Sequence, residues 1–271
     1  MDMKTKRLIG EKRLLATPFL WGMAVVAAIL IGVANPTFAQ EFRVDNRVFL
    51  EDNEEPEIET TTFFHGSFVY DCISDDGEIT IYDTGRERIV LLDSLREVCT
   101  ETTYEELHGF IQDHQRLINQ QEDSYLRFMA NPQFQTTFDE ETSLLVLNSP
   151  LVTYRIRTQP TDEEKAAAYR QFTDWTSRLS TRMHVGSSPP FARMKVNEQL
   201  DSRGLLPKEI YLTLRSGENS ITSSPFMLRS EHDYRMGLTE SELRQIAAIG
   251  RRMASFEKIS MDEYVCSREE E

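Results

Sequence analysis

Cysteine is scarce in this chain. Cys72, Cys99 and Cys266 are the only three among 271 residues, too few to staple a disulfide scaffold, and the odd count leaves at least one thiol free or intermolecular. Histidine is thin as well: His65, His108, His114, His184 and His232 are scattered without metal-ligand spacing. His108 and His114 stand six apart, about 240° around a helix, and cannot share an ion. Glu105 and His108 make one Glu-x-x-His step, but a di-iron bundle needs a second copy and further carboxylates. No glycine-rich phosphate loop and no serine nucleophile elbow occurs in the sequence. Asp75-Asp76-Gly77-Glu78 starts like a calcium loop, yet Glu78 comes too soon to close one. On these grounds the sequence nominates no catalytic residue, no metal ligand and no cofactor.

Basic charge is also short, and five of the 30 basic side chains open the chain. Lys4, Lys6, Arg7, Lys12 and Arg13 precede an uncharged run from Phe19 to Ala34 and a small-residue exit, Asn35-Pro36-Thr37-Phe38-Ala39. That order is the n-region, h-region and cleavage site of a secretory signal, which predicts export, cleavage after Ala39 and a periplasmic or secreted mature chain with no integral membrane segment. The alternative is an inner-membrane anchor over residues 14–34, since counting back to Leu14 gives a run long enough to span. Of the whole chain's 30 basic and 45 acidic side chains, residues 1–39 hold five and two, which leaves 25 against 43 and a net charge of −18. Such a field repels phosphate backbones and anionic lipid surfaces, so nucleic acid is excluded as a partner.

One short motif carries a well-known chemistry. Asp83-Thr84-Gly85 follows the strand-like Ile79-Thr80-Ile81-Tyr82, as in aspartic proteases. That chemistry needs two carboxylates sharing a proton, and no second copy exists; Arg86 also stands where those enzymes keep a small residue. A hairpin turn accounts for the motif, and Asp83 is expected to be structural.

Residues 40–59 read as an exposed strand, Phe42 to Leu50, followed by the acidic connection Glu51 to Glu57. Residues 60–257 form a single domain. It opens with β-type runs over Thr60–Ile73, Glu78–Asp83, Arg86–Asp93 and Leu95–Thr100, separated by turns in which Gly77 and Gly85 supply positive φ. Within the first run, Phe64, Gly66, Phe68, Tyr70 and Cys72 alternate with Ser67, Val69 and Asp71. Three helices follow capping boxes at Thr103/Glu106, Thr161/Glu164 and Thr239/Glu242. The first is expected to run through residue 129 with Leu107, Phe110, Ile111, His114, Leu117 and Ile118 as its apolar stripe. The third presents Leu243, Ile246, Gly250 and Met253. A shorter helix covers Phe191–Leu200, and further strands cover Ser143–Leu147, Leu151–Thr158, Ile210–Leu214 and Ile221–Leu228, the last two joined by the turn 216–219. No internal repeat is evident, and residues 258–271 read as an acidic tail. The predicted class is α+β: a curved antiparallel sheet, a meander plus further strands, with three to four helices on one face.

If the early strands form a simple meander, Cys72 and Cys99 lie three strand spacings apart, roughly 14 Å, whereas a disulfide spans less than ~7 Å between Cα atoms. The two read as small buried thiols.

The meander from Tyr70-Asp71 to Asp93, followed by a capped helix and more antiparallel strands, resembles in outline the periplasmic lipoprotein-carrier half-barrels of the LolA and LolB type. That resemblance covers residues 60–230 and implies a hydrophobic cavity for acyl chains between sheet and helices. Phe64, Phe68, Tyr70, Tyr82, Tyr154, Phe172 and Trp175 are the aromatics available to line it, with core packing as the plain alternative for each. The expectation is thus an exported protein that binds an apolar small molecule or lipid. The alternative is a hydrolase whose site is assembled from residues distant in sequence, recognisable by converging polar groups with perturbed pKa values.

Overall fold

A computed structural model describes residues 41–51, 53–74, 77–184, 187–215 and 225–267. The leader, the pair Asp75-Asp76, the turn 216–219, the first residues of the strand expected at Ile221 and the final 268–271 lie outside the described residues. Among the described residues no helix is long and apolar enough to cross a membrane.

The first strand holds the middle of the molecule. β1 (Phe42–Leu50) pairs with β2 (Ile58–His65) on one side and with β11 (Phe226–Met236) on the other, in a 12-stranded sheet. Phe42, Val44 and Phe49 are buried, which corrects the reading of residues 40–59 as an exposed preface to a domain beginning at 60. Only the acidic connection after β1 stays at the surface. From β2 one wing runs as an antiparallel meander through β3 (Phe68–Ile73), β4 (Glu78–Asp83), β5 (Arg88–Asp93) and β6 (Val98–Thr103). From β11 the other wing runs through β10 (Leu205–Leu214), β9 (Val152–Pro160), β8 (Leu144–Asn148) and β7 (Gln135–Asp139). Every ladder is antiparallel except that of β12 (Glu257–Lys258), two residues that join β6 in parallel.

The mostly antiparallel α+β organisation is as expected, with more strands, but helices cover both faces. Phe63 and Phe64 are successive residues of β2 and point to opposite sides. Phe64 packs in a cluster with Tyr104 and Leu107 of α1 (Tyr104–Ile118), Phe172 of α3 (Glu163–Met183) and Tyr264 of α6 (Met261–Cys266). Phe63 packs with Ile246 and Ile249 of α5 (Glu240–Ser255). The far wing shares the face of α3, where Met129 of α2 (Ser124–Ala130) and Val196 of α4 (Phe191–Asp201) cover Leu145, Tyr154 and Ile156. The first helix thus ends at Ile118 rather than reaching residue 129.

Capping fixes the helix starts. Both halves of the box are formed at Thr103/Glu106 and Thr239/Glu242. At α3 the cap is Asp162, whose carboxylate accepts from the Lys165 amide at 2.8 Å. A charged acceptor there satisfies the orphan amide better than the neighbouring Thr161 hydroxyl. On α5 the buried stripe is Glu242, Ile246 and Ile249, with Leu243 and Gly250 exposed. The helix is rotated by one residue from the expected face because Glu242 is drawn in by Arg43 and Arg235.

The turns repeat a device that the sequence reading misses. The closing pairs Asp83↔Arg88, Asp93↔Val98 and Asp139↔Leu144 each bracket four residues. In all three, the aspartate accepts an amide three residues on (Arg86, Arg96 or Thr142) and the fourth loop residue is left-handed: Glu87, φ 50°; Glu97, φ 54°; Ser143, φ 51°. Gly85 is therefore not the positive-φ residue of its turn. Asp83 is buried among the Arg86 amide, the Arg86 guanidinium and Arg88 Nε, a hairpin anchor. The run read as one strand over Thr60–Ile73 is folded in two at Gly66-Ser67, where Gly66 has φ +62°, as a two-residue hairpin with glycine first requires.

Candidate functional site

The seven aromatics do not gather around one hollow. Phe64, Phe172 and Tyr82 touch edge to face, with ring centres 5.5 and 5.3 Å apart, inside the packed core. Trp175 stacks on Tyr104 at 3.9 Å. Phe68 and Tyr70 lie together on the opposite face of the sheet, and Tyr154 packs in the far wing.

One of the spaces between sheet and helices, under α3 and α4, sets polar side chains among Val44, Tyr169 and Phe172. On the face of the sheet that carries Val44, the register sets His232 of β11 opposite Asn46 of β1, and Asn46 opposite Thr60 of β2. The next row along sets Tyr234 opposite Val44, Val44 opposite Thr62, and Thr62 opposite Asp71 of β3. Side chains directly opposite in an antiparallel pair stand about 5 Å apart, so these two rows make a nearly continuous polar floor four strands wide. Above it, α3 presents Tyr169, Phe172, Thr173, Thr176 and Ser177, and α4 presents Arg193. Small hydroxyl side chains on both surfaces cannot fill the gap that Leu or Phe fills elsewhere, and a cavity of about 220 Å³ is left.

The hydroxyls of α3 have spent their protons. Thr173 donates to the Tyr169 carbonyl, Thr176 to that of Phe172 and Ser177 to that of Thr173; Thr176 then accepts from the Tyr82 hydroxyl at 2.9 Å, which leaves the Thr173 and Ser177 oxygens as acceptors on this surface. Thr62 donates to Asp71 at 2.6 Å. Among the described residues two further acceptors have no partner: Asn46 Oδ1 and His232 Nδ1 are buried and unpaired. His232 is only 9% exposed. Its bond to the Lys208 carbonyl falls to Nε2, because Nδ1 is unpaired, and this fixes the tautomer with a bare Nδ1 lone pair. Burial, and after it the Arg193 cation, push His232 down to about 3 despite that carbonyl, so the ring is neutral. Burial pushes the Asp71 carboxyl up to about 6, with the Thr62 hydroxyl opposing it only in part. Arg193 touches the Tyr169 hydroxyl. Among the described residues no carboxylate lies within ion-pairing distance of it, whereas Arg43, Arg88, Arg170 and Arg235 all have one.

Asp71 and His232 belong to strands three spacings apart, roughly 14 Å, with side chains projecting in parallel from the floor. They cannot share a proton or form a base and its orienter, so the cavity has polar groups at its two ends rather than a dyad at its centre. Cys72 and Cys99, on β3 and β6, are likewise three spacings apart and are free thiols. None of Asn46, Asp71, Arg193 or His232 is singled out for binding by the sequence. The signal available is parity: Asp71 alternates with the same set as Val69 and Ile73 on β3, and His232 with Ser230 and Tyr234 on β11. No protein-family model matches the chain, and no curated protein is significantly similar to it.

Proposed function

We propose that this is an exported binding protein whose cavity between the sheet and helices α3 and α4 takes a small polar ligand rich in hydrogen-bond donors. The observation that carries this reading is the excess of acceptors. Among the described residues His232 Nδ1 and Asn46 Oδ1 are buried without partners, Asp71 closes the far end of the same floor, and the Thr173 and Ser177 hydroxyls face the cavity as acceptors. A buried unpaired acceptor costs about 1–3 kcal/mol, and a ligand donor recovers that cost. At ~30 Å³ per water the space equals roughly seven waters, which limits the ligand to monosaccharide size or below. Export rests on the basic, apolar and small-residue order of the first 39 residues. The likeness to lipoprotein carriers supports a cavity at this place in the architecture, and the polar lining favours a different guest.

The test is a thermal-shift and native mass-spectrometry screen of the purified protein with sugars, hydroxy acids and amino acids, beside a fluorescent fatty acid. Saturable stabilisation by a polar compound, lost in Ser177→Leu, which fills the cavity from α3 and leaves the polar side chains of the sheet unchanged, is the expected result. Saturable binding of the fatty acid alone returns the apolar reading. No binding by any of them, with water as the sole content of the cavity in a crystal structure, overturns both.

A further inference from the structure

The proposed cavity also specifies the charge of its guest, an inference that rests on the polar-cavity reading. Arg193 is the odd member of the lining. It is half-buried on the first turn of α4, among the phenols of Tyr154, Tyr169 and Tyr234 and beside neutral His232. Tyr234 already donates to the Pro207 carbonyl at 2.9 Å, so its proton is committed. Asp174 is an acid whose charge reaches Arg193, but that carboxylate accepts from Asn197 Nδ2 at 2.7 Å and stands 3.7 Å from Arg170 Nε. A guanidinium offers five donors in a planar fork, and the groups around Arg193 fill few of them. The chain has 45 acidic side chains against 30 basic ones; a half-buried arginine that has no ion-pair partner among the described residues, beside the unpaired acceptors His232 Nδ1 and Asn46 Oδ1, fits a fork held open for an external anion.

We infer that the ligand is a small hydroxylated acid, its anionic head held by Arg193 at the α4 end of the cavity and its hydroxyls donating to His232 Nδ1 and Asn46 Oδ1, which stand opposite each other on the sheet. The two kinds of contact are complementary. A carboxylate has no proton to give the acceptor floor, and a neutral polyol has no charge for the fork.

Glucuronate and glucose are near-isosteric probes that differ in that one group. Titrating the full chain with each, by calorimetry at pH 7.5, is expected to show glucuronate bound at least tenfold more tightly. In Arg193→Gln that preference disappears. In Arg193→Lys, which keeps the charge but not the fork, part of it survives, and this second variant guards against a loss of fold posing as a loss of binding. Equal affinity for the two probes in the wild type, or a preference that persists in Arg193→Gln, overturns the anionic head while leaving the polar cavity standing. Binding of neither probe overturns the proposed class of guest, and the wider screen then decides the cavity by itself.

Discussion

Replacing Asp71 with Asn is expected to stabilise the protein, and to do so only above a certain pH. The carboxyl is moved from 3.8 in a solvated chain to about 6 in the fold, first by burial and against the 2.6 Å bond from Thr62. At 1.36 kcal/mol per pKa unit, ionised Asp71 makes the folded state about 3 kcal/mol less favourable. Below pH 3.8 the group is protonated in both states and takes nothing from stability. Between 3.8 and 6 the folded protein keeps a proton that the unfolded chain has released, so stability falls as pH rises. Above 6 both are ionised and the whole penalty is present. The amide of the variant is neutral throughout, and its carbonyl can still accept from Thr62. Urea unfolding of the wild type and Asp71→Asn, compared at pH 3.5, 5 and 7.5, should therefore show no difference, a partial one and about 3 kcal/mol. With a slope of roughly 3 kcal/mol/M, the last is a midpoint shift of about 1 M. Taking the difference between the two proteins removes every other titrating group. A difference that does not change with pH refutes the argument that burial at the cavity floor raises this carboxyl. Retention of a residue at such a cost is what the proposed binding site would require.

His232→Gln should act in the opposite sense. The wild-type imidazole, held down to about 3 from 6.5 by burial, contributes fully above pH 6.5 and loses that contribution as acid protonates the unfolded chain, by about 4 kcal/mol at pH 3; the variant's acid limb, followed by circular dichroism, should be flatter by that amount. Against its burial, Glu242 is brought down to about 2 by the Thr239 amide, Arg43, the Thr239 hydroxyl and Arg235, so it contributes above pH 4.5 and less as pH falls to 2. Glu242→Gln should cost about 2 kcal/mol at pH 7 and almost nothing at pH 2, the half-exposed Arg235 moderating the effect. Asp83→Ala removes the acceptor of the Arg86 amide and of Arg88 Nε and should destabilise by about 1–3 kcal/mol in equilibrium unfolding, with ligand binding in the distant cavity unchanged.

Much of the local structure was written in the chain. β1 and β4 begin and end where their alternation says, and two of three capping boxes close as read. The misreadings have local causes. Gly66 sits in register with an apolar alternation, so a hairpin looks like one long strand. Thr161 and Asp162 compete for one cap, and the carboxylate wins. The αL positions fall to Glu87, Glu97 and Ser143 because the preceding aspartate already ties the loop from inside, and that cooperation between residues four apart has no signature in the turn residue itself.

The site is hidden for a different reason: alternation separates the two faces of a strand without saying whether both are covered. On β3 it sets Phe68, Tyr70 and Cys72 against Val69, Asp71 and Ile73. Because α5 covers one face and α3 the other, both sets are inside, and an aspartate in the second set is a buried charge rather than a surface one. Strand β1 makes the same point: flanked by β2 and β11, it has no solvent edge, so Asn46 can point only into the space under α3. A polar residue in such a place is retained either by a partner in the fold or by one from outside. Thr62 supplies the first for Asp71; for His232 Nδ1 and Asn46 Oδ1 the described residues supply none, and that asymmetry between two rows of one floor is the observation on which the proposed binding site rests.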